Sequence, residues 1–258
     1  MKKIFLSAFI LGSLTFTSCD KNDDDTSQND TKVLPSKTIA KTVYEDGSYD
    51  EFISSFEYDA QNRLVKLVED DKEVDDSGGY SSKTEYTFEY SGDQLTKIIE
   101  NYSSTYNSET TITEYTFSIT GNKVTVASRE GNYTESYVLN IDEKGYLLSD
   151  EDYTYSYDAK GNIIQELSDF SKATYEYDDK NGISKNLNLP QWVLAGVVYS
   201  MAESFVNNPV KMKYEVFEYP NWNTEMQVTY QYNSGGYPTS GTAQTSDGSN
   251  HTITIQYK

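Results

Sequence analysis

The chain has one cysteine and one histidine among its 258 residues. A disulfide framework needs cysteines in pairs and an ordinary zinc site needs several Cys or His ligands, so one chain can build neither. Nucleophile-and-imidazole catalysis has only His251 to draw on. That residue falls in Asn250-His251-Thr252-Ile253-Thr254-Ile255, an alternating strand on which the ring is expected to face solvent. Positive charge is scarce as well. Lys and Arg number 21 against 41 Asp and Glu, a net −20, which excludes wrapping of nucleic acid phosphates and electrostatic attachment to anionic lipid. There is no phosphate loop, no Gly-x-Ser-x-Gly and no His-Glu-x-x-His. No apolar run reaches the roughly 20 residues that a spanning helix requires. On these grounds the chain is read as non-enzymatic, with no catalytic residue, metal ligand or cofactor assigned.

What the chain does contain begins with an export segment. Lys2 and Lys3 precede an apolar stretch from Ile4 to Leu14, the layout of a signal peptide. It ends in Phe16-Thr17-Ser18-Cys19, which resembles a bacterial lipobox with Phe16 and Ser18 in place of the commoner Leu and Gly or Ala. The resemblance implies that residues 1–18 are a lipoprotein signal peptide and that Cys19 carries the lipid that attaches the chain to the outer membrane. From Asp20 to Asp30 every residue is polar, so residues 19–38 are expected to form a solvated acidic tether. An acidic run after the lipidated cysteine is similar to the export signal of Bacteroidetes-type surface lipoproteins, which implies an outer-membrane lipoprotein displayed on the cell surface.

Repeats organise residues 39–258, read as a single domain. Seven copies of one unit run from Phe56 to Leu64, Phe88 to Leu95, Phe117 to Val124, Leu139 to Leu147, Tyr155 to Ile163, Tyr175 to Ile183 and Tyr230 to Tyr237, too many for coincidence. Aromatic or branched residues two apart share one face of a strand. Asp59, Asp142, Asp158 or Asp178 opens a turn through its side chain, and Gly145, Gly161, Gly182 or Gly236 supplies the positive φ that closes it. A returning strand alternates again, as in Leu64-Val65-Lys66-Leu67-Val68. Segments such as Asp75 to Gly79 and Asn101 to Glu109 read as polar links. The fold class expected is all-β, a long antiparallel meander of roughly fourteen to seventeen strands.

The unit Tyr-x-Tyr-Asp-x-x-Gly-Asn-Ile, clearest at Tyr155 to Ile163, resembles the YD repeat of Rhs-type wall and toxin-shell proteins. With the lipobox, the acidic tether and the Gly236 to Thr239 turn, the layout is similar to YD-repeat-like lipoproteins of Bacteroidetes, a family whose resemblance brings no activity with it. In the long relatives the repeats spiral into a shell that encloses cargo. Seven copies are too few for such a shell, and that role is not carried over.

One segment breaks the β pattern. Leu194, Val198, Met201 and Phe205 recur at helical spacing, with Pro190 at the start and Asn207-Asn208-Pro209 as a stop. A single helix near 190–206 is therefore expected to cover one face of the sheet, with Trp192 in the core. Asp71 to Asp76 has oxygens at alternate positions but lacks the Gly and the bidentate Glu of a calcium loop. Trp222 and Tyr219, in Tyr219-Pro220-Asn221-Trp222-Asn223, are the candidate ligand contacts, since aromatic faces match the C–H faces of sugars. The function expected is a lipid-anchored binding or scaffold module that contacts a glycan or an envelope protein and no nucleic acid. Two alternatives stand beside it: a glycan-active envelope enzyme using paired carboxylates, and an assembly subunit pairing through an exposed strand edge.

Overall fold

The computed structural model describes residues 33–75, 78–106, 108, 110–198 and 206–258. The signal segment, Cys19, the tether as far as residue 32 and residues 199–205 of the expected helix lie outside the described residues. Sixteen strands follow in chain order: β1 (Pro35–Val43), β2 (Tyr49–Tyr58), β3 (Leu64–Asp75), β4 (Gly78–Ser91), β5 (Gln94–Ser104), β6 (Thr110–Thr120), β7 (Lys123–Glu130), β8 (Tyr133–Ile141), β9 (Leu147–Ser149), β10 (Thr154–Tyr157), β11 (Ile163–Leu167), β12 (Ser171–Tyr177), β13 (Pro209–Val216), β14 (Thr224–Tyr232), β15 (Pro238–Thr245) and β16 (Asn250–Tyr257). Each pairs antiparallel with its neighbours, and β1 pairs with β16 from Pro35↔Tyr257 to Val43↔Asn250. The expected meander is present, and it curls into a closed barrel. Seven copies are too few for a cargo shell, but they suffice to close a sheet on itself. β1 begins at Pro35, four residues before the expected start at Ile39, with Leu34 fully buried. Of the segments read as polar links, Asn101 to Ser104 belong to β5, Asp75 ends β3 and Gly78 and Gly79 open β4.

Residues directly opposite in an antiparallel pair share a face, so the register separates inside from outside. The outer row reads Glu57, Lys66, Thr87, Ile99, Glu114, Arg129, Thr134 across β2 to β8. Ion pairs cross this wall, Lys66–Glu85 at 2.9 Å, Arg129–Glu114 at 2.9 Å and Lys211–Glu225 at 3.1 Å. The inner face carries Phe56, Leu67, Phe88, Ile98, Val126, Leu139, Met226, Ile253 and Ile255, which form a single buried cluster.

The repeat chemistry explains how hairpins are made and joined. Oδ1 of Asp158 accepts the backbone N–H of Lys160 at 2.8 Å and of Asn162 at 2.9 Å. Asp59, Asp142 and Asn233 do the same in their copies. The second aromatic of most full pairs then reaches a carbonyl of the preceding hairpin, while Tyr232 donates to the Asp178 carboxylate. Tyr90 donates to the Leu64 carbonyl at 2.7 Å, Tyr157 to Leu147 at 2.8 Å, Tyr177 to Ile163 at 2.6 Å and Tyr257 to Pro238 at 2.8 Å. Each of these carbonyls opens a returning strand, so the tyrosine hydroxyl staples repeat to repeat. Burial raises the phenols of Tyr90, Tyr157 and Tyr257 above their ordinary range, which keeps them as donors.

The sixth copy departs from the pattern. Gly161, Gly145 and Gly236 have the expected positive φ, whereas Gly182 does not, and no strand returns after it. The chain turns into the lumen instead, with Gly182 N–H bonded to the Val206 carbonyl at 2.9 Å, and β12 pairs with β13 beyond the insertion. Helix α1 (Gln191–Gly196) is shorter than expected, and all six residues are buried. It does not cover an outer face. It packs on the lumen face of β6, β8 and β9: Trp192 meets Phe117 edge-to-face with ring centroids 5.1 Å apart, Tyr137 donates to the Gly196 carbonyl at 3.1 Å, and Gln191 Oε1 accepts the Leu147 N–H at 2.7 Å. The physical reason is closure: once the sheet is a barrel, its apolar face is enclosed, and a covering helix has to go inside.

Candidate functional site

The plug fills the end of the lumen where the Asp turns lie. Toward the other end the same inward positions become polar. Phe52, Asp71 and Ser82 stand in one row and Asp50, Glu73 and Tyr80 in the next. Farther round, Glu100, Thr113, Glu130 and Tyr133 share a row, and Glu135 faces inward from β8. These rows hold carboxylates and no Lys or Arg. Their hydrogen bonds come from phenols: Tyr44 donates to Asp50, Tyr80 to Glu73, Tyr115 to Glu100 at 2.8 Å and Tyr133 to Glu135. Burial, reinforced by the charges of Asp50 and Glu73, pushes Asp71 up to about 6. Among the described residues no group of three or more Cys, His, Asp or Glu is placed to hold a metal ion.

Glu166 on β11 was passed over in the sequence. A β-bulge in most copies shifts the register just before the second aromatic, as between Glu57 and Tyr58 or between Ser156 and Tyr157. The inward positions of the returning strand are therefore spaced by three, giving Leu64 and Leu67, Leu95 and Ile98, then Ile163 and Glu166. Glu166 thus occupies a core position of the repeat. Burial lifts its carboxyl to about 7, with Asp150 adding to the rise and a hydrogen bond from Tyr175 opposing it. Lining the copies up on that spacing is the signal that would have found it.

His251 faces the lumen, a correction to the solvent-facing ring expected. Closure turns that side of β16 inward: the ring bonds Thr42 Oγ1 at 2.9 Å, and burial lowers its basicity despite Asp247. Trp192 lies in the core as expected. Trp222 and Tyr219 lie on a 3-10 turn at Pro220–Trp222, 47% and 50% exposed, stacked with centroids 4.7 Å apart at 22°. Phe217 and Phe170, 50% and 70% exposed, join through the bond from Phe217 N–H to the Phe170 carbonyl. Four large aromatics therefore stand out from the rim opposite the Asp turns, in two neighbouring loops, a patch that single scattered exposures do not produce.

No family model and no curated protein matches the chain. Among solved structures it is similar to a porin-like protein from Bacteroides uniformis ATCC 8492, at 16% identity over 87% of this chain and 96% of that one, with a TM-score of 0.50. A porin-like protein from Bacteroides vulgatus ATCC 8482 aligns at 12% identity over 87% and 99%, with a TM-score of 0.37. The first likeness is one of fold. The polarity of the wall is this chain's own: a lipid-spanning barrel carries an apolar band outside and polar residues within, and each Lys or Arg at mid-bilayer costs about 2–4 kcal/mol. Here Lys66, Lys97, Arg129 and Lys211 stand outside in ion pairs, and the apolar residues fill the lumen. No helix among the described residues is long and apolar enough to cross a membrane.

Proposed function

We propose that this chain is a non-catalytic binding barrel of the outer envelope, standing in water and tied to the outer membrane by the lipid on Cys19, with the cell surface as its site of display. The observation that carries the reading is the ion-paired outer wall, which cannot sit in hydrocarbon and so calls for a separate attachment. The lipobox-like exit of the signal supplies that attachment. The porin-like Bacteroides neighbour fits an envelope setting, and the recurring Asp turn and Tyr staple fit kinship with YD-repeat-like lipoproteins. The exposed aromatics of the rim, Trp222 and Tyr219 foremost, suit the face of a neutral glycan. Assembly through a strand edge is disfavoured, because every strand of the closed barrel already has two partners.

The test has two arms. Cys19→Ser should abolish palmitate labelling, and labelling that persists overturns the anchor. The mature chain added to planar bilayers should produce no conductance steps, and reproducible channels would overturn the water-standing barrel. One observation favours a second reading, a glycan-active enzyme: burial, with the Asp50 charge adding to it, holds Asp71 near 6, as a carboxyl kept protonated to serve as a general acid would be. Hydrolysis of an envelope glycan, lost in Asp71→Asn, would establish it.

A further inference from the structure

On much of the outer wall, opposite charges that face each other in register are paired, Glu89 with Lys97 at 3.3 Å and Glu114 with Arg129 at 2.9 Å. Two neighbouring outer rows on β2 to β5 depart from this. Asp70, Lys83 and Ser103 stand opposite one another in the first, and Glu51, Lys72 and Ser81 in the second. Asp70 thus faces Lys83 and Glu51 faces Lys72, yet none of the four belongs to an ion pair among the described residues. The side chains part instead around a groove of about 400 Å³, and all six residues line it. Asp70, Lys72 and Lys83 are exposed, so the groove opens to water.

Its volume falls within the roughly 300–1,000 Å³ of small-molecule sites. Lys72 and Lys83 are diagonal neighbours across β3 and β4, about 7–8 Å apart at the backbone, and their long stems let both ammonium groups close on one carboxylate. Ser81 and Ser103 flank the lysines with hydroxyls. Toward β2 the chemistry reverses: Asp70 and Glu51, as carboxylates, can only accept hydrogen bonds. Ile53, opposite Asp70, adds an apolar strip for C–H groups. The groove therefore asks for a ligand with a carboxylate at one side and several hydroxyl donors at the other, each bond being charge-assisted. A neutral sugar would leave the lysines unanswered, and an amino acid would leave most of the volume and the serine hydroxyls unused. We propose that this wall groove binds a carboxylate-bearing sugar, with Lys72 and Lys83 on its carboxylate and Asp70 and Glu51 on its ring hydroxyls. The site goes beyond the aromatic rim, which suits neutral glycan, and needs neither Trp222 nor the lipid on Cys19.

Calorimetric titration of the mature chain with methyl β-glucuronide, methyl β-glucoside and alanine tests it. The glucuronide should bind, the glucoside should bind about tenfold more weakly or worse, and alanine should give no heat. Lys83→Gln and Lys72→Gln should each weaken the glucuronide about tenfold, while Lys97→Gln, which removes an ion-paired lysine of the same wall, should leave it within about twofold. Trp222→Ala should also leave it within about twofold, so that failure at the rim and failure in the groove are read separately. All four changes lie on the surface, where the fold tolerates them. Equal affinity for glucuronide and glucoside, equal heat from alanine, unchanged binding in Lys83→Gln, or no heat from the glucuronide would each overturn the proposal.

Discussion

Toward the Asp turns the lumen is filled by the chain itself, with Trp192, Val193 and Leu194 packed among Leu67, Ile98 and Leu139. Toward the rim the same strands point Asp50, Asp71, Glu73, Glu100 and a set of phenols inward. Alternation is equally regular in both halves. What differs is whether a segment of the chain arrives to exclude water. Where the plug sits, inward residues are apolar. Where it does not, they include carboxylates, several of which accept tyrosine hydroxyls, and the half-buried tyrosine, apolar in body and polar at its tip, serves in both.

The comparison breaks most severely if charge is placed in the plugged half. Leu194→Asp should cost about 4 kcal/mol or more, because a fully buried side chain becomes an unpaired charge, whereas Thr113→Asn in the open half should stay within about 0.5 kcal/mol. Urea denaturation of both variants checks this, and equal losses would mean that the plug is not part of the stable core.

A pH titration of stability sharpens the contrast next. Glu166 titrates near 7 in the fold against 4.5 for the free side chain. The folded chain therefore keeps a proton that the unfolded chain has released, so stability falls as pH rises from about 4.5 to about 7 and levels above that. Glu166→Gln should remove that slope, a difference of on the order of 2–3 kcal/mol between pH 4.5 and 8. Parallel curves for the two proteins would show that Glu166 is solvated.

Smaller effects follow at the staples and the rim. Tyr90→Phe, which leaves the Leu64 carbonyl without its donor, should cost about 1 kcal/mol, read from the shift in urea midpoint at unchanged slope. Trp222→Ala should alter stability least, by less than about 0.5 kcal/mol, while weakening glycan binding about tenfold. A melting temperature that falls without a selective loss of binding would assign Trp222 to the packing of its loop.

Much of the fold was legible because it is made locally. Asp59, Asp142 and Asp158 bond their own backbone within four residues, and Tyr155 and Tyr157 announce a strand by spacing alone. Trp192 in the core and Trp222 outside it were also readable, one from an apolar segment and the other from a Pro-Asn turn. Glu166 was hidden by the bulge, since parity counted straight through Tyr157 misassigns the returning strand. His251 was misread for a related reason: on an isolated sheet either face can be wet.

The sequence by itself determined the strands, their turns, the tyrosine spacing and the acidic balance, all set by contacts within one hairpin or between neighbouring hairpins. Tertiary structure alone decided closure, which rests on β1 meeting β16 across more than two hundred residues. It also decided that the helix is a plug, that the ion pairs face outward and that Glu166 turns into the lumen. Those outcomes follow from closing the barrel, because closure gives a sheet an inside, and only then does each face acquire its solvent.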